Sequence, residues 1–114
     1  MKRRDAQLIE EIRQYLDDNL FARHTITDLC RKFLVTREKM QMGFRELVQS
    51  SVQAYVVRQR LERAARQLVE SDDSIKAIAF ESGYKRKRSF VKMFKAIYKM
   101  PPSTYRQINQ QTVV

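Results

Sequence analysis

The chain has 114 residues, with 23 Lys or Arg against 13 Asp or Glu, a formal charge of +10, one His and one Cys. That length holds one domain with a modest core, and a single Cys offers no disulfide framework. No apolar run approaches membrane-spanning length, no apolar stretch near the N-terminus has signal-peptide character, and no paired nucleophile and base or metal-ligand cluster is in evidence, so enzyme chemistry is disfavoured.

Two Gly, two late Pro and abundant Leu, Arg, Gln and Glu predict an all-α chain. The first helix is expected from about Asp5 to Leu20, because Leu8, Ile9, Ile12, Tyr15 and Leu16 recur at helical spacing. Asp17, Asp18 and Asn19 are expected on its wet side. A short second helix follows from Thr25 to Leu34. Thr25 with Asp28 resembles a capping box, and Leu29, Cys30 and Phe33 are expected inward. Cys30 is expected to be a small buried hydrophobe. His24 has no ligand-spaced neighbours, which argues against a metal there.

Thr36 is placed to cap a third helix running to about Leu47, with Met40, Phe44 and Leu47 inward and Arg37, Glu38, Gln41, Met42 and Arg45 pointing elsewhere. Gly43 in mid-helix costs about 1 kcal/mol relative to Ala, so it should mark a close approach by another helix or a ligand backbone. Ser51 opens the longest helix, about Val52 to Glu70, with an apolar stripe of Val57, Leu61, Ala64, Ala65 and Leu68. Ser71-Asp72-Asp73 is a polar loop. Ile75, Ile78 and Ala79 then form a short apolar segment ending at Gly83. Phe90, Met93, Phe94 and Ile97 form another that stops before Pro101. Two short helices around a Gly-containing turn make a helix-turn-helix pattern, whose second helix is the one that enters a DNA groove.

Charge is concentrated at this end. Residues 1–81 hold fifteen Lys or Arg and thirteen acids, whereas residues 82–114 hold eight cations and no acid. Lys85-Arg86-Lys87-Arg88 lies where the second helix should begin. Cations are disfavoured at a helix N-terminus, so four of them suggest a polyanion lying against it.

The chain also repeats itself. Thr25, Ile26, Leu29, Cys30, Leu34 and Val35 are echoed 49 residues later by Ser74, Ile75, Ile78, Ala79, Gly83 and Tyr84. Past the turn the offset is 50: Met40, Phe44, Arg45 and Tyr55 match Phe90, Phe94, Lys95 and Tyr105. Two helix-turn-helix units are therefore expected, at about 5–50 and 74–110, joined by a helix over 51–70. A connector of about nineteen residues spans about 28 Å, compatible with neighbouring major-groove faces about 34 Å apart.

The residues that carry a family resemblance are Arg60-Leu61-Glu62-Arg63-Ala64, Ile75-x-x-Ile78-Ala79, Gly83-Tyr84, Phe90-x-x-x-Phe94-Lys95 and Pro102-x-x-Tyr105-Arg106. Together they resemble the DNA-binding domain of the AraC/XylS family of bacterial transcription regulators, over about Leu8 to Arg106. The resemblance implies about seven helices in two lobes, with helices three and six as readers of neighbouring major grooves. It makes Glu38, Gln41 and Met42 the base-facing candidates of the first lobe, and Lys87, Arg88, Ser89, Val91 and Lys92 those of the second. Thr36, Arg37, Arg45, Lys85, Arg86 and Lys95 complete the expected DNA-facing set. No cofactor or metal is implied. Double-stranded DNA is the expected partner, with RNA polymerase the second, and the bacterial cytoplasm the expected compartment. Two lobes in one chain make a monomer sufficient on DNA. A dimer is expected only if the chain belongs with a regulatory domain, and no such effector domain is expected within these 114 residues.

The sequence departs from the family at several points. Leu34 stands where the first turn usually has Gly, so a strained or differently shaped turn is expected. Gln49 and Lys99 replace the glycines after each reading helix. Met42 stands where several relatives carry a base-reading Arg, and Lys85-Arg86-Lys87-Arg88 is more basic than usual. A helical protein-interaction module or a basic membrane-surface helix is the alternative, but neither calls for two matched helix-turn-helix units. RNA binding is disfavoured because the aromatics fall at core spacing.

Overall fold

The computed structural model describes residues 1–110, which form seven helices and, among the described residues, no strand. They are α1 (Arg3–Asp18), α2 (Ile26–Phe33), α3 (Arg37–Val48), α4 (Val52–Glu70), α5 (Ile75–Glu81), α6 (Lys87–Tyr98) and α7 (Pro102–Gln110). The chain divides into two units, Met1–Gln59 and a second from Arg60 onward, with the boundary inside α4.

In the first unit, Ile9, Ile12 and Leu16 of α1 are buried with Leu29, Met40 and Phe44 and with Val52, Tyr55 and Val56 from the start of α4. The Thr25 hydroxyl caps α2 by accepting from Asp28 N–H at 3.0 Å, and Thr36 caps α3 by accepting from Lys39 N–H at 3.2 Å. Gly43 is where α1 meets α3: a Cβ there would lie 2.9 Å from Ile9 Cδ1. The close approach is therefore helix against helix.

Several expected inward positions shift. Leu47 is 38% exposed, because the buried line of α3 steps by four from Met40 to Phe44 to the half-buried Val48 and leaves Leu47 on its flank. Met93 is likewise exposed beside Phe90 and Phe94. Cys30 and Phe33 are half-buried, packed at the edge of the core rather than within it. Val57 is half-buried, and Val52, Tyr55 and Val56 form the buried stripe at that end of α4. Asp17 is not on a wet face: it is half-buried and accepts a 2.6 Å hydrogen bond from the Tyr55 hydroxyl. Burial first, then this bond, holds the Tyr55 phenol well above its usual range. His24 has a structural role, with Nε2 2.6 Å from the Asn19 carbonyl and its ring edge-on to Tyr15.

In the second unit, Leu61, Ala64, Ala65 and Leu68 of α4 are buried, as are Ile78, Ala79, Phe90 and Phe94. Phe94 stacks on Tyr98 at 4.5 Å and meets Tyr105 edge-on at 5.4 Å. Arg106 ties α7 to the end of α4, donating to the Leu68 carbonyl at 2.9 Å and to the Asp73 carbonyl at 2.6 Å. One of the eight C-terminal cations is thus committed inside its own lobe.

The repeat is written in bonds as well as residues. Leu29 N–H to the Thr25 carbonyl is matched by Ile78 N–H to Ser74. Val35 N–H to the Cys30 carbonyl is matched by Tyr84 N–H to Ala79. The Phe44–Tyr55 ring pair, 5.5 Å apart at 76°, is matched by Phe94–Tyr105 at 5.4 Å and 78°.

Left-handed backbone appears at Gly83 (φ 94°) but also at Leu34 (φ 53°), Gln49 (φ 65°) and Lys99 (φ 64°). The first turn thus keeps its shape and puts a leucine in a conformation that costs an L-residue about 1–2 kcal/mol. Leu34 is 91% exposed, so its side chain returns little of that cost. Leu34→Gly is expected to stabilise the fold by about 0.5–1 kcal/mol, after the greater unfolded-state freedom of Gly is subtracted. A urea-melt midpoint that falls instead of rising would show that the Leu34 side chain contributes packing.

Candidate nucleic-acid interface

Each lobe offers one helix whose buried face leaves an opposite face open. On α3 the anchors are Met40 and Phe44, and Arg37, Glu38, Met42 and Arg45 are exposed. Gln41 is half-buried. Met42 is 71% exposed, an unusual investment for an apolar side chain. Thr36, also expected to face DNA, has its hydroxyl engaged as the helix cap.

On α6 the anchors are Phe90 and Phe94. Lys87, Arg88, Ser89, Lys92 and Lys95 are exposed, and Val91 is half-buried. Spacings of three and four place Arg88, Val91, Lys92 and Lys95 along one side. Lys85 and Arg86 lead into it, also exposed. Among the described residues, none of Lys85, Arg86, Lys87, Arg88, Lys92 and Lys95 takes part in an ion pair. By contrast, Lys39 of α3 is held 3.0 Å from Asp5 of α1.

The two helix starts differ in a way that matters chemically. The start of α3 has a Thr cap and an acid, Glu38, in its first turn. The start of α6 has Arg86 at the cap position with no side-chain cap, and no acid in its first turn. Unsatisfied N–H groups and the positive end of the helix dipole therefore point outward amid four cations. An anion against that end relieves both, and phosphate suits it. The sequence signalled the cations. It did not signal the exposure of Leu34 and Phe80, which are 91% and 75% exposed beside the two turns.

A family model described as a helix-turn-helix domain matches residues 29–108. The activator AarP of Providencia stuartii is 30% identical over 101 residues, covering 89% of this chain and 75% of AarP. The chain belongs to the AraC-type helix-turn-helix family. The AraC-type domain of a Chromobacterium violaceum regulator superposes with a TM-score of 0.84 at 19% identity, covering 92% of this chain and 94% of that one. The DNA-binding domain of AdpA, solved with a target DNA, gives 0.81 at 21% identity, covering 91% and 94%. The raffinose operon regulator RafR of Pediococcus pentosaceus is 34% identical over 93 residues, 82% of this chain. The chain spans only 34% of RafR, so this AraC-type unit recurs within longer regulators. These relatives are transcription regulators, not enzymes. Among the described residues no helix is long and apolar enough to cross a membrane.

Proposed function

We propose that this AraC-type chain is a sequence-specific DNA-binding transcription regulator that sets α3 and α6 into major-groove segments of one duplex, with the second lobe supplying most of the affinity. The observation that carries the ranking is the uncapped, acid-free start of α6 amid Lys85, Arg86, Lys87 and Arg88. Arg88 and Lys92 have the chemistry to contact guanine edges, while Lys85, Arg86 and Lys95 suit phosphates. In the first lobe Gln41 suits adenine, Met42 a thymine methyl and Glu38 a cytosine amino group. Arg37 and Arg45 flank them as phosphate contacts. A protein working on bacterial DNA acts in the cytoplasm, and RNA polymerase is the partner through which such a regulator changes transcription. Two reading helices in one chain let a monomer occupy a site.

Arg88→Ala and Gln41→Ala, compared on one selected duplex and its single-base variants, test the ranking. Arg88→Ala is expected to cost about 1–3 kcal/mol and to relax preference at one or two positions, with a smaller effect from Gln41→Ala. Equal weakening on every sequence would make Arg88 a phosphate contact. A larger loss from Gln41→Ala would reverse the ranking of the lobes.

A further inference from the structure

A cavity of about 400 Å³ opens in the first lobe between α1 and α3, walled by Leu8, Ile9, Val35 and Met42. Gly43 also lines it, beside the point where Ile9 closes against α3. A volume of this order suits a small organic ligand, and such sites are mostly apolar with a few polar groups that fix orientation. Its rim is acidic. Asp5, Glu38 and Glu46 face it, against Lys39 and the amino group of Met1. Two of the carboxylates are matched, Asp5 by Lys39 at 3.0 Å and Glu46 by the Met1 ammonium at 3.5 Å. Glu38 is exposed and takes part in no ion pair among the described residues. The rim therefore keeps one uncompensated negative charge over an apolar floor, in a chain whose net charge is +10.

We propose that this cavity binds a small lipophilic monocation, such as an aryl-substituted quaternary ammonium. The apolar body rests on Leu8, Val35 and Met42, and the cationic head lies at Glu38. A neutral apolar ligand would leave the carboxylate unused, and an anion would be repelled by it. Glu38 and Met42 also belong to the exposed face of α3, so a bound cation occupies the surface that a duplex would meet. Binding of the cation and of DNA is then antagonistic, and by linkage each weakens the other by the same factor.

The test uses (2-naphthylmethyl)trimethylammonium, whose fluorescence is read cleanly because the chain has no Trp. Without DNA, its anisotropy is expected to rise saturably with one equivalent of protein. Glu38→Gln, at an exposed position, is expected to weaken binding about tenfold. Leu8→Phe, which fills the cavity from α1 outside the DNA-facing residues, is expected to abolish it while DNA affinity stays as in the parent. With a labelled duplex present, saturating cation is expected to lower DNA affinity in the parent but not in Leu8→Phe. Absence of saturable binding overturns the proposal, as does cation binding unchanged by Leu8→Phe. Leu8→Phe-sensitive binding of 2-naphthaleneacetate at equal affinity overturns the charge argument. Cation and duplex bound together with unaltered affinities overturn the antagonism, while the DNA-free titration leaves the DNA-binding reading itself untouched.

Discussion

Phe94→Ala is expected to lower stability by about 3–5 kcal/mol, the range for emptying a fully buried aromatic position. Phe94 is fully buried and is shared by three ring contacts, to Phe90, Tyr98 and Tyr105. Its removal leaves Tyr98 and Tyr105 with only each other of that ring cluster, 5.3 Å apart, and α7 loses one of its ties to the lobe. The hydrogen bonds of Arg106 to the Leu68, Ser71 and Asp73 carbonyls and of Gln110 to the Leu68, Val69 and Ser71 carbonyls remain. Against a typical domain stability of about 5–15 kcal/mol, much of the second lobe's order is at stake. Urea denaturation followed by circular dichroism measures it. A midpoint unchanged within error would mean that Phe94 is not a keystone of the lobe.

Salt is expected to act on function about as strongly as that substitution acts on stability. Of the eight cations after Glu81, Arg106 is committed to backbone carbonyls, and the remaining seven are exposed. With about six of them on phosphate, log K should fall against log[salt] with a slope of about −5 to −6. Affinity would then drop about 10³-fold between 50 and 200 mM salt. Fluorescence anisotropy with a labelled duplex over a salt series gives the slope directly. A nearly flat dependence would mean that the basic end does not meet the DNA backbone.

What was legible in the sequence follows from the range over which each interaction acts. Helix caps depend on residues three apart: Thr25 and Thr36 cap as their positions suggested, and Ser74, the repeat partner of Thr25, does the same. Matched anchors such as Phe44 and Phe94 were visible because a repeat compares the chain with itself. Stripe edges were less legible: on helices of eight to twelve residues, a single step of three or four decides between inside and flank, and Leu47 and Met93 fell on the flank. The Tyr55–Asp17 bond joins residues 38 apart, beyond any local pattern. Arg106 read as one more surface cation until its carbonyl partners were placed.

At the interface, the basic run was plain but the open helix end beneath it was not, since capping depends on the conformation of Arg86. Leu34 in place of a turn glycine foretold strain or a changed turn, and it adopts the left-handed region, as do Gln49 and Lys99. The cavity beside α3 had no sequence signature, because its walls come from two helices and a turn.

The most direct test of the account is selection of duplexes from a random-sequence pool by the purified chain, followed by hydroxyl-radical footprinting on the enriched sequence. Two protected patches on one face of the duplex, about one helical turn apart, are predicted, with the more strongly preferred bases under the patch lost in Arg88→Ala. Failure to enrich any sequence, or a single patch indifferent to Arg88→Ala, would contradict it.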